Sequence, residues 1–178
     1  MNWKKALLPM ILTLPLIIVL ALGFGHDPHA VPSVLEGRNA PRFQLKSLAG
    51  EEISLEGMAG KPLLLNFWST WCEPCKLEHG LLQQAASRYA GRVQFVGIVY
   101  QDSGDKVRQY LTRHPSAYPH LLDPDSKVAI DFGIAGVPES FIIDAQGTIV
   151  HKQTGVMTPD VLQAVLDPLA QDPLGGAP

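Results

Sequence analysis

The sequence is short of cysteine, short of charge and free of repetition, and each shortage excludes a class of protein. Only two cysteines, Cys72 and Cys75, occur in 178 residues. A scaffold of several disulfides is excluded, and a bond between these two would close so small a loop that it would constrain the unfolded chain little. They are there for reactivity or for metal. Formal net charge is −3 with a pI near 6.0, and no basic stripe appears, so the electrostatic footprint of a nucleic-acid-binding protein is missing. There are no internal repeats and no low-complexity blocks. What remains is a 46% hydrophobic chain long enough for one domain with a real core, plus appendages.

The first appendage is N-terminal. Lys4 and Lys5 precede Ala6 to Phe24, nineteen residues without a charge, interrupted by Pro9, Thr13 and Pro15. This is a long signal peptide or a single membrane anchor; near-spanning length and a poor cleavage pattern at Ala21-Leu22-Gly23 favour an anchor over residues 1–25. The lysines would then stay cytoplasmic, and everything beyond would face an extracytoplasmic space that permits disulfides. Residues 26–41, with three prolines and little periodicity, read as a linker.

A domain is expected over 42–170, with 171–178 as a frayed tail. Phe43/Leu45 and Ile53/Leu55 alternate around an Ala-Gly turn as a hairpin. Leu63 to Trp68 (LLLNFW) and Val93 to Tyr100 (VQFVGIVY) are apolar runs of the kind found in strands buried on both faces. Helices are expected from Pro74 or Cys75 to about Tyr89, from Asp105 to Arg113 behind Asp102 or Ser103, and from Ser126 to Phe132. A short extended piece is expected at His120 to Leu122. Phe141 to Asp144 and Thr148 to Thr154 form a second hairpin. Thr158 and Pro159 open a last helix whose Val161, Leu162, Val165, Leu166 and Leu169 make one apolar stripe. The order predicts an α/β fold, a central mixed sheet flanked by helices.

Cys-x-x-Cys directly after a buried strand and at a helix start is the thioredoxin-like arrangement. Helix N-terminal amides and the macrodipole favour a thiolate, so Cys72 is expected to be an exposed nucleophile of low pKa. Cys75, one turn in, would resolve the mixed disulfide, and Pro74 fixes the first turn. On a helical wheel Glu78 falls in the apolar arc of Leu81, Leu82, Ala85 and Tyr89. A carboxylate there would have a raised pKa and could exchange protons for the thiols. Glu73 is expected to be solvated. Asn66, inside a buried strand, needs hydrogen-bond partners. Trp68 reads as core and Trp71 as lining a substrate groove. His114, His120 and His151 read as surface or satisfied histidines.

FWSTWCEPC, followed by GVPESFIID, resembles the thioredoxin superfamily. More narrowly it resembles the membrane-anchored, reducing thioredoxin-like proteins of cytochrome c maturation, the ResA/CcmG/TlpA group, over roughly residues 36–170 plus the anchor. Where ordinary thioredoxins carry a buried aspartate this chain has Asn66, and Glu78 stands where the group has a glutamate. Glu139 after Pro138 resembles the Gly-x-Pro-Glu-Thr pattern of the CcmG branch, while WCEPC resembles ResA. The resemblance implies a thioredoxin-like fold with an N-terminal β-hairpin at 42–55 and a central βα insertion at 116–132. It implies a cis Val137–Pro138 bond beside the disulfide, with Val137 pairing to an extended substrate. Trp71, Pro74 and Glu139 would complete the substrate face. It also implies that the chain reduces apocytochrome c or another Cys-x-x-Cys protein. The electrons would come from a membrane thiol transporter of the DsbD/CcdA type, and no cofactor is expected. The rival is a copper chaperone on the same fold, but such proteins space their cysteines by three and add a histidine, which this chain does not obviously place.

Overall fold

A computed structural model describes residues 13–15, 17–18 and 35–171. Residues 13–15 and 17–18 are helical. The rest of the expected anchor, and the expected tail beyond Gln171, lie outside the described residues. Among the described residues no helix is long and apolar enough to cross a membrane.

Seven strands form one sheet: β1 (Gln44–Ser47), β2 (Glu52–Ser54), β3 (Leu63–Trp68), β4 (Gln94–Val99), β5 (His120–Leu122), β6 (Glu139–Ile143) and β7 (Ile149–Thr154). Their order is β2-β1-β5-β4-β3-β6-β7. β3 runs parallel to β4 and β4 to β5, while the remaining neighbours are antiparallel. Every residue of β3 is buried, as the unbroken apolar run requires of a strand covered on both faces.

Helices α1 (Glu73–Arg88), α2 (Gly104–Arg113), α3 (Lys127–Asp131) and α4 (Pro159–Gln171) cover the sheet. Leu63, Leu65 and Phe67 face one way, into a core with Ile98, Phe132 and Phe141. Leu64 faces the other way, packing with Leu82 and Ala85 of α1 and Leu162 and Leu166 of α4. Ser103 caps α2 by accepting from the Lys106 amide at 3.3 Å. The expected insertion supplies β5, which sits between β1 and β4, and α3, whose first turn is held by the Asp123 carboxylate accepting from the amides of Val128 and Ala129.

Residues 35–40, assigned to the linker by composition, run beside β7. Gly37 donates to the Ile149 carbonyl at 2.8 Å, Ile149 to the Arg38 carbonyl at 2.9 Å, and Ala40 to the Gly147 carbonyl at 2.8 Å. The Lys152 amide donates to Glu36 Oε1 at 2.7 Å. This segment shields an edge strand whose amides would otherwise offer themselves to another chain.

Candidate active site

The site is built where two parallel strands end. Beyond β3, Ser69 Oγ donates to the Tyr100 carbonyl at 2.5 Å, and the Thr70 amide donates to Asp102 Oδ2 at 2.7 Å. Trp71 Nε1 donates to the Gln101 carbonyl at 3.1 Å. The loop that launches the cysteine motif is therefore tied to the loop after β4. Trp71 remains 55% exposed, which suits a side chain that meets a partner. Pro74 is exposed in the first turn of α1, as expected of a residue with no amide to satisfy.

Cys72 and Cys75 form a disulfide with their Cα atoms 5.3 Å apart. Cys72 is the N-cap of α1, and the Cys75 amide donates to its sulfur at 3.1 Å. That donor would stabilise a Cys72 thiolate once the bond is reduced. The expectation that Cys72 stands exposed is corrected: it is 4% exposed against 3% for Cys75. Both pack with Trp68, Val99 and Val107, under the partly buried Val137. Burial does not distinguish the two sulfurs here; the amide aimed at Cys72 does.

Glu78 lies one turn below Cys75, 2% exposed, on the sheet-facing side of α1. Oε1 accepts from Asn66 Nδ2 at 2.8 Å and Oε2 from the Met157 amide at 2.8 Å. Asn66 Nδ2 also donates to Ser140 Oγ at 3.0 Å, so the partners that Asn66 needs are found across β3 and β6. Both groups on Glu78 are neutral, and burial raises its pKa above 4.5 although the amide of Met157 and the Asn66 carboxamide pull it down. Glu73, by contrast, is exposed and paired with Lys76 at 2.6 Å.

The Val137–Pro138 bond is cis. The Val137 carbonyl oxygen lies 3.5 Å from Cys72 Sγ, which puts this turn against the disulfide. Glu139, expected on the substrate face, is turned inward and only 2% exposed. Its Oε1 accepts from the amides of Ala135 at 3.1 Å and Gly136 at 3.3 Å, and Lys152 Nζ lies 2.7 Å from Oε2. The reason is topological: β6 is covered on both faces, so its first side chain has no route to solvent.

Sequence reasoning missed a buried ring cluster beside the site. His120 is 4% exposed, and its Nδ1 accepts from Trp68 Nε1 at 2.9 Å. Burial, assisted by nearby His79, pushes its pKa down to about 3, so it is neutral at physiological pH. His79 packs against Trp68, Tyr110 and His114. The available signal was Gly97 in the middle of a buried strand. A β-carbon there would collide with His120 Nδ1 and stand 2.9 Å from Trp68 Nε1.

A disulfide at a helix start, an amide aimed at its first sulfur and a cis-proline turn against it, all on this sheet, define a thiol–disulfide oxidoreductase of thioredoxin fold. The chain belongs to the AhpC/TSA family, whose model matches residues 37–152. It is 34% identical to the thiol:disulfide interchange protein DsbE of Allochromatium vinosum, with 98% of this chain and 97% of that one covered. It is 35% identical to the thiol:disulfide interchange protein HelX of Rhodobacter capsulatus, covering 88% and 93%. A solved thiol:disulfide interchange protein of the thioredoxin family from Chlorobium tepidum superposes with a TM-score of 0.66 at 28% identity, covering 77% of this chain and 96% of that one. DsbE and HelX belong with the CcmG branch, the one that Gly136 to Ser140 resembles.

Proposed function

We propose that the chain is a dedicated reductant on the extracytoplasmic side of a membrane, anchored by residues 1–25, and that it reduces the Cys-x-x-Cys-His disulfide of an apocytochrome c. A partner protein carrying that disulfide would be handled by the same chemistry. The observation that carries this reading is a sulfur facing an amide donor, with a buried carboxyl whose partners are all neutral behind it. Such a site can hold a thiolate and exchange a proton at the same time.

The Cys72 thiolate attacks one substrate sulfur, forming a mixed disulfide, and the departing substrate thiolate takes up a proton. Cys75 then gives its proton to Glu78 and attacks Cys72 Sγ. The second substrate thiolate leaves and is protonated, and Glu78 later returns its proton to solvent. In total, two electrons pass from the Cys72/Cys75 pair to the substrate, whose two thiols take their protons from solvent. Solvent has received one proton from Cys72 on its ionisation and one from Cys75 by way of Glu78. Trp71 and the backbone of Val137 would receive the substrate as an added strand. Haem attachment needs free thiols in a compartment that otherwise pairs them, which is the task this chemistry suits. The spent disulfide would be reduced by a membrane thiol transporter of the DsbD/CcdA type.

The test is single-turnover reaction of the reduced full-length chain with an oxidised peptide bearing Cys-x-x-Cys-His. Reduction of the peptide, with a trapped mixed disulfide in Cys75→Ser, is expected. Formation of disulfides in the reduced peptide by the oxidised chain, with no reverse reaction, would overturn the reading. Among the described residues no group of three or more His, Cys, Asp or Glu is placed to hold a metal ion. Copper titration with and without reductant addresses the chaperone alternative.

A further inference from the structure

The exchange chemistry leaves one buried charged pair without a task. Glu139 and Lys152 meet at 2.7 Å, with side chains 3% and 16% exposed, and Lys152 Nζ also lies 5.2 Å from the centre of the Phe141 ring. A pair so deeply desolvated is weak evidence for stability, because apolar residues of similar volume often serve as well. Its geometry points elsewhere. The carboxylate reaches back along the chain to accept from the amides of Ala135 and Gly136, two residues whose own positions are exposed. The next residue is Val137, whose carbonyl lies against Cys72 Sγ. On the other side, the Pro138 carbonyl accepts from the Gly155 amide at 2.9 Å. The turn is thus held from both ends, and one of the two holds is a charged side chain.

We propose that Glu139 is a positioning residue for a polypeptide substrate. The Glu139 carboxylate fixes the amides of Ala135 and Gly136 so that Val137 presents its backbone in one orientation. Lys152, with Nζ 2.7 Å from the other carboxylate oxygen, pairs with the charge that this hold buries. Glu139 does not touch substrate; it acts through the backbone. The proposal rests on Val137 being the strand-pairing residue of the reading above. A small disulfide, needing only the sulfur of Cys72, would not sense the clamp.

The first test uses no variant. Amide hydrogen exchange on the full-length chain should show Ala135 and Gly136 protected despite their exposed positions; exchange at the rate of free loop amides would overturn the clamp. The second compares two double variants. Glu139→Gln with Lys152→Met keeps an acceptor for the amides and removes both charges. Glu139→Met with Lys152→Met removes the acceptor as well. With the oxidised Cys-x-x-Cys-His peptide, KM should stay within about threefold of wild type for the first and rise about tenfold for the second. In both, kcat and the reaction with 5,5′-dithiobis(2-nitrobenzoate) should be unchanged. Equal KM values in the two variants, or a matching loss on the small disulfide, would overturn the proposal. Failure of the wild type to reduce the peptide would instead remove the substrate reading, leaving the exchange measurement to judge the clamp.

Discussion

Two glutamates flank the disulfide, each 2% exposed, yet their surroundings differ in one respect. Glu139 meets an ammonium and two amides; Glu78 meets an amide and a carboxamide, with no cation. A buried carboxylate held in an ion pair can fix backbone in place, whereas one with only neutral partners is pushed toward protonation and can trade a proton. Burial alone would have assigned the two the same role.

Removing the cation's partner should have the largest effect. Glu139→Ala strands the Lys152 charge in a desolvated site and frees two amides, so chemical denaturation should register a loss of about 3–5 kcal/mol. A loss no greater than that of an exposed substitution would mean that the pair is solvated and that the contrast fails.

Glu78→Gln should act more weakly and in the opposite direction. The folded pKa of Glu78 lies above its ordinary 4.5, so the stability tied to its neutral form is fully present below that value and is lost as pH rises through the folded pKa. The variant, neutral throughout, should therefore match wild type in acid and exceed it at neutral pH by on the order of 1 kcal/mol. Asn66 can accommodate the new amide by turning its carboxamide over, provided that Ser140 then donates its hydroxyl. Parallel stability profiles from pH 4 to 8 would show that the carboxyl is charged at no penalty.

Glu73→Gln should do least. Its pairing with Lys76 is at the surface, and such pairs contribute little, so the denaturation midpoint should not move measurably. A clear loss would give the exposed carboxylate a role that belongs, on this account, only to the buried ones.

Glu78 was legible in advance because helical periodicity is strict: on a wheel of residues 75–89 the arc of Leu81, Leu82, Ala85 and Tyr89 fixes which side faces the sheet. The strands were legible from LLLNFW and VQFVGIVY for the same reason, a pattern dense enough to leave one solution. Glu139 was not, since a strand buried on both faces gives its side chains no polar side, and the position of Lys152 depends on the register of β6 with β7. His120 escaped because its strand has three residues and its space is created by Gly97 on the neighbouring one. Residues 35–40 escaped because they bond through backbone groups, which Pro- and Gly-containing sequence does not advertise.

The most direct measurement is the reduction potential of Cys72–Cys75 against glutathione from pH 6 to 9, on full-length wild type and Glu78→Gln. Wild type should lie at or below about −270 mV at pH 7, the thioredoxin value. The slope of about 59 mV per pH unit expected for two electrons with two protons falls once Cys72 ionises in either protein, and wild type should show a further change of slope, where Glu78 titrates, that the variant lacks. A potential near about −120 mV, that of a strong oxidant, or identical slopes in the two proteins, would contradict a reductant whose buried carboxyl manages its protons.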